Sequence, residues 1–186
     1  MPPRAVVVSL ILLLGASRAV AATEPGISYQ EFTLPNGLRV FLSEDHRAPQ
    51  VTVNVWYHVG AANQRPGRSG FAHLFEHMMF SGSQHVPDPD KVLAAIGAGL
   101  GGAANGSTDF DRTNYFETVP ASQLPTALWI ESDRMGFLLP TLDAKKLATQ
   151  RDVVSNERRQ RVENQPYGRA YLELCDTLYP KPHPYY

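Results

Sequence analysis

The sequence predicts an α+β fold in which helices pack on one face of a mostly antiparallel sheet. Segments that alternate apolar and polar residues, as strands do, occur beside segments with the periodicity of helices. The two kinds do not alternate strictly along the chain, as they would in a parallel α/β fold. A hydrophobic content of 43% and an aromatic content of 10% are typical of a globular protein with a core.

The first 21 residues have the pattern of a secretory signal peptide. A basic start at Arg4 precedes an apolar run over residues 5–15, and Ala19-Val20-Ala21 forms a cleavage signal of small residues. The apolar run is too short for a membrane anchor, because a span needs about 20 residues. We predict cleavage after Ala21, export to a bacterial periplasm, no membrane span after cleavage, and a folded domain over residues 22–186.

The strands are predicted from turns and alternation. A hairpin is predicted around Pro35-Asn36-Gly37. Residues 50–60, QVTVNVWYHVG, alternate apolar and polar side chains and predict a longer strand. Residues 103–120 predict two extended halves around a turn at residues 108–111. These segments supply the sheet.

The helices follow from apolar periodicity and from helix-breaking residues. Helical patterns cover residues 69–80, 90–96, 121–138 and 143–163. Pro140 separates the two long helices, and a last short helix is predicted from near Pro166. The glycine run 97–102 is expected to be flexible or sharply turned. The end of the chain, YPKPHPYY, has no closing element, so we expect a truncated domain.

Charge and cysteine content exclude several classes of partner and site. The formal net charge is −1 and no run of lysine or arginine occurs, which argues against nucleic acid and anionic membranes as partners. Cys175 is the only cysteine, so an internal disulfide framework and a cysteine-rich zinc site are excluded.

The stretch GFAHLFEHMMFSG, residues 70–82, carries ionisable side chains on a predicted apolar helix. His73 and His77 are four residues apart, so in a helix both imidazoles face one point and can bind one metal ion. Glu76 can reach a water held by that metal without being a ligand. Zinc with three protein ligands lowers the pKa of such a water to about 7, and a carboxylate can take its proton. The pattern predicts a hydrolytic zinc site.

A second interpretation makes the two histidines ordinary helix residues and Glu76 half of a surface ion pair. The strongly apolar flanks favour the metal, because buried ionisable groups without partners are costly. A third ligand is still required. The residues alone leave open five downstream glutamates: Glu117, Glu131, Glu157, Glu163 and Glu173.

Four stretches of the sequence carry a family resemblance: LPNGLRVFLSED, SGFAHLFEHMMFSGS, NGSTDFDRTNYFETVP and RDVVSNERRQ. They closely resemble the pitrilysin and insulinase family of zinc peptidases, from about Tyr29 to the end of the chain. The chain looks most similar to the branch that includes the mitochondrial processing peptidase and bacterial periplasmic relatives. The resemblance implies the α+β metal-binding lobe of that family as the fold.

The resemblance also implies the site. His73 and His77 would bind zinc, Glu76 would be the base, and Glu157 would be the third ligand on a later helix. The alternative for Glu157 is an ion pair with Arg161, four residues on. One position departs from the family: many relatives carry a second glutamate two turns before the ligand, where this sequence has Gln150.

Residues 103–108 resemble the strand on which the family binds its substrate by strand addition, and Asn105 is the predicted contact. Ordinary turn chemistry of Asn-Gly is the alternative for Asn105. Four further histidines lack paired spacing and are interpreted as surface residues: His46, His58, His85 and His183.

These implications together predict a zinc-dependent metalloendopeptidase that hydrolyses short or unfolded peptides. Family members enclose a chamber between homologous lobes, so the resemblance implies a second lobe or subunit as partner. The alternative is a non-catalytic or partner-dependent scaffold subunit of the same family. A metal-binding module without hydrolysis is a third, weaker alternative.

Overall fold

A computed structural model describes residues 26–98 and 104–186 of the chain, which divides into two compact units between His46 and Arg47. The predicted signal peptide and residues 99–102 of the glycine run lie outside the described residues. No helix in the described ranges is both long enough and apolar enough to span a membrane.

The first unit contains a β-hairpin. Its strands, β1 (Gln30–Thr33) and β2 (Arg39–Leu42), pair antiparallel. Gly37 in the turn has a φ of 88°, in the left-handed region that glycine adopts without a steric penalty. The side chain of Asn36 accepts a hydrogen bond from the backbone N–H of Leu38 at 3.1 Å. The predicted hairpin is confirmed.

The second unit contains a three-stranded antiparallel sheet. Its strands are β3 (Gln50–Tyr57), β4 (Ala104–Thr108) and β5 (Thr113–Pro120), in the order β3-β5-β4. The central strand β5 pairs with both neighbours. Each predicted strand forms, and β4 lies at one edge of this sheet.

The described part of the second unit contains five α-helices: α1 (Phe71–Met79), α2 (Pro89–Ala95), α3 (Leu124–Phe137), α4 (Ala144–Arg158) and α5 (Ala170–Leu178). Two boundaries differ most from the sequence prediction. The predicted helix 143–163 changes after Arg158 to a π-helical segment, Arg159–Glu163. The last helix begins at Ala170 rather than near Pro166, because the left-handed backbone of Tyr167, with a φ of 58°, interrupts helical geometry there.

The core lies between one face of the sheet and the helices. Its main cluster is formed by buried apolar side chains of the sheet, of α2 and α3, and of the neighbouring loops: Val53, Val86, Leu93, Ala98, Val119, Ala127 and Ile130. A second cluster joins Met79 of α1 to Tyr115 of β5 and Leu138. On the opposite face of β3, Thr52 and Trp56 are exposed. The predicted α+β arrangement, with helices on one face of an antiparallel sheet, is confirmed.

Candidate metal centre

Helix α1 carries the HxxEH stretch, and its first turn is capped from outside the helix. Gly70 precedes the helix in a left-handed conformation and has no side chain to act as a cap. Oε1 of Gln64 instead accepts hydrogen bonds from the backbone N–H groups of Phe71, at 2.5 Å, and Ala72, at 3.2 Å. Its Nε2 donates to the carbonyl of Ala61 at 3.0 Å. Gln64 therefore ties the preceding loop to the start of the helix.

The two histidines of α1 meet Glu157 of α4. Nε2 of His73 lies 3.2 Å from Nε2 of His77, and Oε2 of Glu157 lies 3.6 Å and 3.1 Å from these two atoms respectively. All three side chains are partly buried. Of the five glutamates that the residues alone left open, Glu157 is the one in this cluster.

The cluster has the dimensions of a tetrahedral zinc site. Ligand atoms about 2.0–2.1 Å from a zinc ion at tetrahedral angles are about 3.3 Å apart. The three separations of 3.1, 3.2 and 3.6 Å are close to that value. Two imidazole nitrogens and one carboxylate oxygen are also a donor set that zinc accepts, and three protein ligands leave a fourth position open. The residues present therefore fit a zinc ion.

Glu157 also makes the ion pair that was its alternative interpretation. Oε1 of Glu157 lies 2.7 Å from Nη1 of Arg161, while Oε2 faces the histidines. The two interpretations are compatible, because each uses a different oxygen of the carboxylate. Gln150 lies two turns earlier on the same helix, α4.

Glu76 is buried on α1, with 8% of its surface exposed. Its Oε2 accepts a hydrogen bond from Oγ1 of Thr108 at the end of β4. Gly106, two residues earlier on the strand, lies beside the same carboxylate. The sequence did not reveal this contact, because it depends on how β4 lies against α1 rather than on any local spacing.

Asn105 lies on β4, one residue before Gly106, and is exposed. Its Oδ1 accepts a hydrogen bond from the backbone N–H of Gly106 at 2.8 Å. Within the described residues β4 pairs only with β5, so its other edge has unpaired backbone groups. Asn105 is not part of the His-His-Glu cluster.

A buried group of charges lies under the sheet, and the sequence interpretation missed it. Glu117 of β5 and Glu131 of α3 are each 1% exposed. Nη2 of Arg134 lies 2.8 Å from Oε1 of Glu131, although the atoms are not aligned as a hydrogen bond. The guanidinium of Arg134 also contacts the rings of Phe80 and Tyr115, 5.1 Å and 4.9 Å from their centroids.

The buried charges shift the pKa values of this group. Burial, and then the neighbouring charge of Glu131, raise the pKa of Glu117 to about 8. Burial also raises the pKa of Glu131, with Arg134 acting in the opposite direction. Burial and Glu131 raise the pKa of Tyr57 to about 12. The raised pKa favours the protonated form of Glu117 at neutral pH.

His85 has a buried partner that its position in the sequence did not indicate. Its Nδ1 lies 2.5 Å from Oδ1 of Asp133, and Oδ2 of Asp133 accepts a hydrogen bond from Oγ of Ser83 at 2.5 Å. Burial alone would raise the pKa of Asp133, but the hydrogen bonds from Ser83 and His85 hold it below its ordinary value. Asp133 thus anchors the loop between α1 and α2 to α3.

Residues 39–179 match the family model described as insulinase, peptidase family M16. The chain belongs to the insulinase family. This membership confirms the resemblance on which the metal ligands were predicted. The matched range includes every residue of the cluster and of the buried charge group.

Relatives within the insulinase family are proteases. The chain is 33% identical to zinc protease PqqE of Helicobacter pylori over 95% of its own length and 38% of that protein. A crystal structure of a protease from Helicobacter pylori superposes with a TM-score of 0.75 at 34% identity, covering 85% of this chain and 37% of the other. The chain therefore spans less than two fifths of either relative.

The first half of the periplasmic protease PqqL from Escherichia coli has the same fold. It superposes with a TM-score of 0.74 at 23% identity, covering 84% of this chain and 34% of the other. The two superposed structures agree with the α+β architecture of this chain.

Proposed function

We propose that the protein is the zinc-binding lobe of a metalloendopeptidase that hydrolyses peptide bonds. The observation that carries this proposal is the convergence of three ligand atoms, from His73, His77 and Glu157, at separations suited to one tetrahedral ion. Membership of the insulinase family supports the same chemistry. When bound, zinc supplies Lewis acidity and an acidified water.

We assign the base to Glu76. It lies on α1 between the two histidines in sequence, which supports this assignment, and its carboxylate makes no ion pair among the described residues. Burial keeps bulk water away from the carboxylate, so the proton it takes can be delivered to the leaving amine rather than lost to solvent. His73, His77 and Glu157 hold the metal and take no part in proton transfer.

We propose that substrates are short or unfolded peptides bound along the open edge of β4. Strand addition satisfies the unpaired backbone groups of that edge and requires an extended substrate. Asn105 is exposed on this strand and is the proposed side-chain contact. Short or unfolded peptides can present an extended segment to this edge without prior unfolding.

We propose a second homologous lobe or subunit as the partner that closes the site. The chain covers 38% of the length of its Helicobacter relative, which supports a larger assembly. We further propose export to a bacterial periplasm, supported by the leader pattern of residues 1–21. In this proposal residues 22–186 are the metal-binding lobe.

The scaffold alternative predicts a lobe without catalysis. A non-catalytic member of the family has no need of both a complete ligand set and a base, whereas this chain has His73, Glu76, His77 and Glu157 together. The enzyme is therefore the proposal that we favour.

The test is cleavage of an unstructured peptide pool by the full-length protein and by its Glu76→Gln variant, with the zinc content of both measured. We expect the variant to keep its zinc and to lose activity by at least about a hundredfold, the range for loss of a general base. If both proteins bind zinc and neither cleaves, the scaffold alternative is correct. If neither binds zinc, the assignment of the cluster is wrong.

A further inference from the structure

One face of β4 lies against the Glu76 carboxylate. Thr108 donates a hydrogen bond from its Oγ1 to Oε2. At Gly106, on the same face two residues earlier, a Cβ atom would lie 3.2 Å from Oε1 and 3.3 Å from Cγ of Glu76. The strand therefore holds one oxygen with a hydroxyl and leaves room for the other beside a bare glycine backbone.

The hydroxyl of Thr108 has two possible acceptors, the carboxylate of Glu76 and the hydroxyl of Thr113. Oγ1 of Thr108 lies 3.3 Å from Oγ1 of Thr113 on β5. Thr113, however, donates its only hydroxyl proton to the carbonyl of Val59, at 3.0 Å. Thr113 therefore cannot donate to Thr108 and could only accept its proton. Of these two acceptors the Glu76 carboxylate is the closer and the one that carries a charge, so the Thr108 hydroxyl donates to Glu76.

Few other groups constrain the Glu76 carboxylate. Among the described residues, Thr108 is the only side chain that forms a hydrogen bond with it, and the carboxylate is almost fully buried. A glutamate has three rotatable side-chain bonds, and a base must be held within hydrogen-bond reach of the proton it takes. One fixed oxygen leaves the other free to accept that proton.

We propose that Thr108 is a positioning residue for the base Glu76, and that Gly106 provides the space which this position of the carboxylate requires. The inference rests on the proposed function, because it presupposes that Glu76 is the base. It adds a physical link between substrate binding and the base. The strand proposed to bind the peptide along its open edge also orients Glu76 through the face that carries Gly106 and Thr108. Binding of an extended peptide and alignment of the base are then coupled through one strand.

The test compares Thr108→Val with Thr108→Ser in the full-length protein. Valine has the shape of threonine without the hydroxyl, and serine retains the hydroxyl. We expect Thr108→Val to lower kcat by about tenfold or more, part of the hundredfold or larger effect of a general base, with KM within about twofold and an unchanged zinc content. Thr108→Ser should restore most of that loss.

A matched control is available in the same sheet. Thr118 on β5 hydrogen-bonds with Thr52 on β3, at 2.8 Å, on the face away from the helices. Thr118→Val removes a similar bond from the sheet and should leave kcat within about twofold of wild type. If Thr118→Val lowers kcat as much as Thr108→Val does, the effect reflects general damage to the sheet, and the positioning role is wrong.

A double mutant separates positioning from stability. If Thr108 acts through Glu76, Thr108→Val should lower the residual rate of the Glu76→Gln variant by less than about twofold. An equal loss in both backgrounds would contradict the inference while leaving Glu76 as the base. Should Glu76→Gln itself retain full activity, the proposed function fails, and this inference fails with it.

A structural measurement covers the case in which Thr108→Val is too unstable for kinetics. A crystal structure of Gly106→Ala should show the Glu76 carboxylate displaced, because the added Cβ falls within contact distance of Oε1, Cγ and the ring of Phe80. An undisturbed carboxylate in that variant would contradict the role assigned to Gly106.

Discussion

Nη1 of Arg161 lies 2.7 Å from Oε1 of Glu157, on the side of the carboxylate that faces away from the two histidines. The pair joins the end of α4 to the π-helical segment that follows it. Arg161 thereby limits rotation of the Glu157 side chain and keeps Oε2 directed at the cluster. Partners of this kind orient metal ligands from outside the coordination sphere.

We predict that Arg161→Met weakens zinc binding by about tenfold. This is the lower end of the range for such partners, and we expect it because the Arg161 side chain is 77% exposed and solvent screens its charge. The measurement is a competition titration with a chelator. Arg158→Met is the control: Arg158 is also exposed and pairs with Glu163, away from the cluster. Equal zinc affinities for both variants and wild type would contradict the role of Arg161.

Replacing Gln64 should loosen the start of α1. Gln64→Leu removes the acceptor of the Phe71 and Ala72 N–H groups, and we expect the free energy of unfolding to fall by about 1–2 kcal/mol, as for other lost helix caps. Gln64→Glu retains an acceptor and should recover much of the loss. Urea denaturation of the metal-free protein measures both. Gln84→Leu, at an exposed side chain, is the control and should change stability by less than about 0.5 kcal/mol.

The free energy of unfolding should decrease as the pH rises, because of Glu117. Its pKa is raised from 4.5 to about 8 in the folded protein, so between these values the folded state holds a proton that the unfolded chain releases. The resulting stabilisation is complete below about pH 4.5, is lost as the pH rises towards 8, and changes no further above that. The slope for one proton is at most about 1.4 kcal/mol per pH unit.

Glu117→Gln tests this prediction, because an amide resembles the protonated carboxyl and does not titrate. The difference in unfolding free energy between wild type and variant, followed by urea denaturation from pH 5 to 9, should move in favour of the variant up to about pH 8 and level off above it. Glu173→Gln, at an exposed side chain, should show no such trend. A difference for Glu117→Gln that does not change with pH would mean that the carboxyl is ionised throughout.

Substitution by alanine should change the stability of the protein in opposite directions at two glycines. A Cβ at Gly60 would lie 2.3 Å from the carbonyl oxygen of Asp109 and 2.5 Å from that of Phe110, so Gly60→Ala requires backbone movement and should cost about 1–3 kcal/mol. Gly136 in α3 has open space at its Cβ, and Gly136→Ala should stabilise by about 0.5–1 kcal/mol. Thermal melting of both variants measures the sign of each stability change. A Gly60→Ala protein as stable as wild type would contradict the close approach of the two carbonyl oxygens to Gly60.

Local features of the fold could be predicted from the sequence. The hairpin at Gly37 and the alternation of β3 depend on neighbouring residues, and the facing of His73 and His77 depends only on helical spacing. The end of α4 at Arg158 and the late start of α5 were not predicted, because helical periodicity continues in the sequence beyond the places where the backbone changes.

Contacts between distant segments could not be derived in the same way. Glu157 was one of five open candidates until the family resemblance selected it, since its approach to α1 depends on tertiary packing. Thr108 reaches Glu76, and Glu117 reaches Glu131, only after the register of β4 and β5 is set. Such pairings depend on the sheet register, which no local pattern in one sequence determines.

The proposed ligand set joins parts of the chain that are far apart in sequence. His77 and Glu157 are 80 residues apart, so an ion bound to both would act as a cross-link between α1 and α4 and close a long loop of the chain. Its binding free energy would then add to that of folding. In a compartment where free zinc varies, supply of the metal would set the lifetime of the protein against degradation as well as its activity.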